Sequence, residues 1–173
     1  MTSHRSTNAI AIALTLVLAG CGKPASDSAA ELAIKTVSGG KVDVTTSGDK
    51  SQVTIKTDQG EAHISAGGNL ALPKDFPSDL HLPLFAYTIS NVVQMGPATV
   101  VTMHSAAPVA TLFAEYDSTM KAGGWTEATA VQSTDAASVL TFQKDNRVAS
   151  VTLEKSSDQG GGTDISLQHS AQK

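Results

Sequence analysis

The side chains that could do chemistry are few and widely spaced in this chain of 173 residues. No two histidines share the short spacing of a zinc-binding motif, and no serine stands in a G-x-S-x-G turn. We therefore predict no metal, no cofactor and no catalytic residue, although a triad can be assembled in space without any local motif. One open possibility is that His104 and His169 meet on neighbouring strands. The histidines outside the first thirty residues are His63, His81, His104 and His169.

The single cysteine, Cys21, is informative because of where it stands. A positive start at Arg5 and an apolar run from Ala9 to Ala19 precede it, which is the pattern of an export signal. As a helix that run would span only ~16 Å, about half of a ~30 Å hydrocarbon layer. We therefore expect a cleaved signal and no transmembrane anchor.

The four residues Leu18, Ala19, Gly20 and Cys21 resemble the lipobox of bacterial lipoproteins. The resemblance implies that the Cys21 thiol receives a diacylglyceryl group, that the signal (1–20) is cut between Gly20 and Cys21, and that the new amino group is acylated, for example with palmitate. A thiol is a good nucleophile for accepting a lipid. The alternative is a secretory signal whose cysteine lies near the cleavage site by chance.

Composition limits the partners of the mature chain. Loss of Arg5 with the signal leaves 11 basic and 16 acidic residues, a formal charge of -5, which disfavours nucleic acid and anionic head groups. Membrane residence would then come from the acyl chains on Cys21. Gly22, in place of aspartate, resembles the pattern of lipoproteins sorted to the outer membrane of Gram-negative cells. There the protein would face the periplasm and contact an envelope protein or a glycan.

Small and polar residues at 21–30 predict a flexible tether after the cysteine. Ser28 and Glu31 have the spacing of a capping box, so we predict a short helix at 29–38, with a strand as the alternative. Glycines at 39 and 40 would end it. The apolar stripe of this helix would consist of Leu32, Ala33 and Val37.

Three alternating runs follow and predict a three-stranded meander within a small β-rich unit at 31–69. The next segment, 70–83, predicts a proline-rich linker that crosses the surface as a boundary, with a clamp packed back onto a domain as the alternative. The runs cover 41–46, 52–57 and 61–66, and the apolar residues that would make the linker a clamp are Phe76, Leu80 and Leu82.

The region 84–170 predicts two strands, a helix and four further strands. The predicted fold class is α+β: an antiparallel β-sheet with one long helix packed on it, in the order ββαββββ. A small helix and the three-stranded β-meander would precede it, and this small unit would lean on the second unit or on a partner. Glu115 and Asp117 would lie on the solvated face of the helix, and Trp125 would be either a core residue or an exposed anchor for a partner. The apolar helix face comprises Val109, Leu112, Phe113, Tyr116 and Met120.

A second resemblance covers most of the mature chain. The segments "LPKDFPSDL" and "LFAEYDSTMKAGGW", with the preceding strands, are similar to those of a family of uncharacterised bacterial envelope lipoproteins and secreted proteins. Its motifs are prolines, core aromatics and turns, so the resemblance implies a fold and no catalytic residues. We expect a non-enzymatic binding or structural role. The alternatives are a small-ligand carrier with a cavity between helix and sheet, lined by Phe113, Tyr116 and Phe142, and then a hydrolase.

Overall fold

The computed structural model describes residues 41–57, 60–134, 136–157 and 160–171. The signal, the tether and the predicted helix at 29–38 lie outside these ranges. One helix, α1 (Val109–Ala122), is described together with nine strands. The strands are β1 (Lys41–Ser47), β2 (Lys50–Thr57), β3 (Gly60–Ala66), β4 (Tyr87–Met95), β5 (Ala98–Ser105), β6 (Thr126–Thr134), β7 (Ala137–Lys144), β8 (Arg147–Lys155) and β9 (Thr163–Ala171).

All nine strands form one antiparallel sheet in the order β1-β2-β3-β4-β5-β9-β8-β7-β6. Most neighbours in the sheet are also neighbours in sequence, joined by tight turns. Gly96 between β4 and β5 has φ 55°, and Asp145 between β7 and β8 has φ 54°, as turns of this kind require. The last strand, β9, returns to the middle of the sheet and pairs with β5 and β8.

The helix α1 packs on one face of the sheet, against β6, β7 and β8. We call this the helix-side face and the opposite one the reverse face. Pro108 precedes α1 with φ -65°, and the Gly123 amide donates to the Thr119 carbonyl where the helix ends. The predicted apolar helix face is confirmed for four buried residues, while Phe113 is half-buried against the core. The four are Val109, Leu112, Tyr116 and Met120.

The segment between β3 and β4, residues 67–86, lies beside α1 on the helix-side face, and we call it the strap. The Leu70 amide donates to the Ile89 carbonyl of β4 at 2.9 Å. Leu80 is buried in the main core. Phe76 and Leu82 pack against the same core, so the prediction that the proline-rich linker crosses the surface is wrong, and its alternative, a clamp, is confirmed.

The predicted fold class is wrong in its architecture. We expected a ββαββββ layer of helix on sheet, preceded by a separate meander, but β3 pairs with β4 from Ala62 opposite Met95 to Ala66 opposite Asn91. The meander and the C-terminal strands therefore form one sheet-dominated fold. Local patterns could not predict the pairing of β3 with β4, because the strap separates the two strands in sequence and its prolines indicate a domain boundary. In the structure the two ends of the strap lie side by side. The domain limits at 31–69, 70–83 and 84–170 stay a prediction.

Candidate binding face

The apolar and polar sides of the sheet are exchanged between its two halves. On the helix-side face, one row of cross-strand neighbours is polar in β1, β2 and β3 and apolar in the other six strands. Because paired residues share a face, this row can be followed through the register of the whole sheet. In sheet order it consists of Thr45, Gln52, Ser65, Val92, Val101, Leu167, Val151, Leu140 and Ala130.

The adjacent row on the reverse face has the opposite pattern. It is apolar from β1 to β5 and polar from β9 to β6, and its five apolar side chains are half-buried. The row consists of Val44, Val53, Ile64, Val93, Val100, Gln168, Ser150, Thr141 and Thr129. With the next row it makes an apolar surface that we call the reverse apolar face: Val42, Val44, Val53, Ile55, Ala62, Ile64, Val93, Met95 and Val100.

An open groove of about 380 Å³ lies at one end of the reverse apolar face. Its apolar lining includes Ile55, Ala62 and Met95, and its rim is formed by Glu61 and the Gly96–Pro97 turn. The side chain of Met95 is 53% exposed there. Sites for small ligands have volumes of roughly 300–1,000 Å³ and are lined mainly by apolar side chains. The groove is open and its lining is mainly apolar, which makes it the concave part of the reverse apolar face.

The other half of the reverse face is mainly polar, apart from the exposed pair Val131 and Val139. His104 of β5 and Asp164 of β9 are paired at 2.8 Å, and both side chains are more than one third exposed. A shallow groove of about 320 Å³ nearby is lined by Thr102, Thr152, Glu154, Asp164, Ile165 and Ser166. Exposed pairs of this kind contribute little to stability. This half of the face is a solvated surface.

His104 and His169 do not come together. His104 lies opposite Asp164 on the reverse face, whereas His169 lies opposite Thr99 and Ala149 on the helix-side face. Burial of His169 lowers the pKa of its imidazole, and the charge of Arg147 lowers it further. Within the described ranges, no group of three or more histidine, cysteine, aspartate or glutamate side chains could hold a metal ion.

Asp79 fastens the strap to the sheet. Its two carboxylate oxygens accept hydrogen bonds from the Arg147 guanidinium at 2.8 and 2.7 Å, and one also accepts from Lys144 Nζ at 3.0 Å. The bond from Arg147 is the main reason that the pKa of Asp79 is held far below its usual range, against the opposing effect of burial. Trp125 donates from Nε1 to the Asp79 carbonyl at 3.1 Å and lies under the Arg147 guanidinium. Trp125 is buried, so of its two possible roles the core one is confirmed.

A second polar contact joins the strap to α1. Glu115 Oε1 lies 2.6 Å from His81 Nε2 and accepts the Leu84 amide at 2.7 Å. The prediction that Glu115 is solvated is wrong, because the strap covers its side chain to 9% exposure. The His81 ring meets the Tyr116 ring edge to face, and burial raises the pKa of the Tyr116 hydroxyl above its usual range. Asp117, two residues further along α1, does not share this contact and pairs with Lys121 at 2.7 Å.

These two clusters bear on structure more than on chemistry. Each ties the strap to an element of the core, and neither opens into one of the grooves described above. Sequence reasoning missed them because the strap has no periodicity that predicts which of its polar residues face inward. It also missed the reverse apolar face, for which a signal existed: Val92–Val93 and Val100–Val101 put apolar side chains on both sides of β4 and β5.

Several predicted site residues cannot be placed. The lipobox residues Leu18, Ala19, Gly20 and Cys21 lie outside the described ranges, so lipid attachment and cleavage stay predictions. No helix in the described part of the chain is long and apolar enough to cross a membrane.

Comparison with known proteins finds one distant similarity. Residues 88–162 match a family model described as START domain-like. The matched segment runs from β4 to the loop before β9 and includes α1, but it is less than half of the chain and leaves out β1, β2 and β3. No curated protein and no solved structure matches the chain.

Proposed function

We propose that this chain is a non-enzymatic binding protein of the bacterial cell envelope, anchored through lipid on Cys21, that holds a small apolar ligand on its reverse apolar face. The observation that carries the ligand site is the reversal of apolar character across the sheet. The core on the helix-side face accounts for those apolar residues of β4 to β9 that point toward α1 and the strap. It leaves those of the reverse apolar face without a packing role in that core.

Contiguous exposed apolar surface on a protein usually marks a site of interaction. In the described part of the chain, α1 and the strap both pack on the helix-side face, away from the reverse apolar face. The groove at Ile55, Ala62 and Met95 gives this surface a concave part. A ligand with an apolar body would bury itself there.

The similarity to a START domain-like model supports ligand binding, because such a match suggests a ligand-binding domain. The match is compatible with the carrier alternative, which assumed a cavity between helix and sheet, but the packing of this chain does not favour that cavity. Leu112, Tyr116 and Phe142 have no exposed surface, so side chains fill that interface. We therefore place the ligand on the reverse face.

The anchor is tested by Cys21→Ser. Loss of the thiol should abolish lipidation and lipobox-dependent cleavage, so the substituted protein should keep its signal and be absent from the mature, acylated membrane fraction. Ser26→Ala, which changes the tether but leaves the lipobox intact, is the control and should mature normally. If Cys21→Ser still matures at the same bond and stays with membranes after a salt wash, the anchor is wrong.

The ligand site is tested with a pair of neighbours on β3. Ile64→Thr changes the reverse apolar face, whereas His63→Thr changes the helix-side face of the same strand. Titration with anilinonaphthalene sulfonate, followed by fluorescence, should show roughly fivefold weaker binding for Ile64→Thr, because ~1 kcal/mol of apolar contact is lost. His63→Thr should bind as the unsubstituted protein does. Equal affinities for both variants, with unchanged circular dichroism spectra, would remove the site from this face.

A further inference from the structure

The strand at one end of the sheet, β6, has a free edge. In the described part of the chain β6 pairs with β7 alone, so alternate residues direct their N–H and C=O groups away from the sheet. Proteins usually protect such an edge with charged side chains, prolines or bulges. Bulges occur toward both ends of β6, but the pairing with β7 is regular from Thr129 to Gln132. The middle of the strand therefore keeps a regular free edge.

The middle of β6 also carries no charged side chain. The residues from Ala128 to Ser133 are uncharged, and all of them are exposed. The carboxylate that precedes them, Glu127, is paired with Lys121 of α1 at 2.6 Å. The strand at the other end of the sheet, β1, carries the exposed charge of Asp43. Of the two edges, β6 is therefore the one without a charge that would repel a further strand.

Two exposed valines lie at this edge on the reverse face. Val131 of β6 is 52% exposed and lies opposite Val139 of β7, which is 37% exposed. The row continues across the sheet with polar residues, Thr152 of β8 and Ser166 of β9. The valine pair is therefore separate from the reverse apolar face, and it ends at the free edge of β6.

We propose that β6 pairs with β6 of a second copy of this chain, antiparallel about a two-fold axis through Val131. In this register Ala130 lies opposite Gln132 and Thr129 lies opposite Ser133, so no pair brings like charges together. The valine pairs of the two copies join into one apolar row across the interface. A two-fold interface must be self-complementary, and this edge meets that condition. The pairing leaves the reverse apolar face free and does not depend on a ligand.

The register is tested with single cysteines in the full chain, solubilised in detergent. Val131→Cys brings two thiols together at the axis, whereas Thr129→Cys, on the same face of β6, puts them ~13 Å apart. A disulfide needs Cα atoms within about 7 Å. Under mild oxidation, with peptide mapping to separate bonds of Cys21, we expect linked dimers of Val131→Cys to form at least tenfold faster. Equal rates, or a faster rate for Thr129→Cys, would overturn the proposal.

A second measurement needs no new cysteine. An interface of one strand pair is small, so sedimentation equilibrium in density-matched detergent should show a weak dimer between ~10 µM and ~1 mM. Val131→Lys puts two like charges opposite each other and should weaken the dimer at least fivefold. Ala114→Lys adds the same charge at an exposed position of α1 and should dimerise as the unsubstituted protein does. A monomer at every concentration, or equal weakening by both lysines, would contradict self-pairing of β6.

Discussion

The two halves of the sheet use the same alternation of apolar and polar residues in opposite phase. In β7, β8 and β9 most apolar side chains point to the helix-side face and are fully buried, as Leu140, Val151 and Ile165 show, while Val139 is an exposed exception on the reverse face. In β1, β2 and β3 they point to the reverse face and most remain half-buried. Alternation therefore makes a strand amphipathic, but the packed partner decides which side becomes a core. The half without a described partner is the one we assign to binding.

The largest change in unfolding free energy is expected at Tyr116, in the half of the sheet that packs against α1. Its ring is fully buried, so Tyr116→Ala should lower the free energy of unfolding by ~3–5 kcal/mol. Tyr116→Phe is the control and should change it little, because the described residues offer the buried hydroxyl no hydrogen-bond partner. Urea denaturation measures both. A loss below about 0.5 kcal/mol for Tyr116→Ala would place this face of α1 in water.

A matched pair of isoleucines compares the two halves directly. Ile165→Ala, on the helix-side face of β9, should cost ~2–4 kcal/mol of unfolding free energy. Ile64→Ala, on the half-buried reverse face of β3, should cost only about 1 kcal/mol, since less contact is lost. Urea denaturation of both variants measures the two losses of unfolding free energy. Equal losses would show that the reverse apolar face is a second packed core, and the contrast between the halves would fail.

The anchor of the strap should depend on pH through Asp79. Asp79→Asn removes the ion pair with Arg147 and should cost about 1–2 kcal/mol at neutral pH. The folded-state pKa of Asp79 lies below its unfolded value of ~3.9, so the stabilisation is present above that value and is lost as the pH falls toward the folded pKa. Urea denaturation at pH 7, 4 and 3 should show that the difference in unfolding free energy between Asp79→Asn and the unsubstituted protein becomes smaller as the pH falls.

Asp145→Asn is the control for this series, since Asp145 lies 3.9 Å from Arg147 and its side chain is 78% exposed. It should leave stability nearly unchanged at every pH. A gap between Asp79→Asn and the unsubstituted protein that stays constant down to pH 3 would mean that the carboxylate charge of Asp79 does not fasten the strap.

The smallest effect is expected on the polar part of the reverse face. Asp164→Asn breaks the exposed pair with His104 and should change the unfolding free energy by less than about 1 kcal/mol. Raised salt should remove even this difference. A loss as large as that of Asp79→Asn would show that this half of the reverse face is held by its polar contacts and is not a solvated surface.

Most elements of the fold could be predicted from the sequence, because each depends on local patterns. The three alternating runs become β1, β2 and β3, and the stripe from Val109 to Met120 becomes the buried side of α1. The pairing of β3 with β4 could not be predicted, since the strap separates them and no local residue encodes a contact over that distance. For the same reason Glu115 reads as a solvated residue in sequence and is covered by the strap in the structure.

The reverse apolar face could be predicted only in part from the sequence. Val42, Val53 and Ile64 each belong to a predicted strand and show that one side of the meander is apolar. Which side that is relative to α1 depends on the register between β3 and β4. A shift of one residue would have joined these side chains to the main core and left no separate surface.

The central claim, that ligand binds the reverse apolar face and not the helix-sheet interface, is tested most directly by the isoleucine methyl groups. Ile55 and Ile64 lie on the reverse apolar face, whereas Ile89 and Ile165 are buried in the main core. In methyl-labelled protein titrated with anilinonaphthalene sulfonate, the NMR signals of Ile55 and Ile64 should shift and those of Ile89 and Ile165 should not. Shifts confined to Ile89 and Ile165 would place the ligand in the core layer and contradict the account.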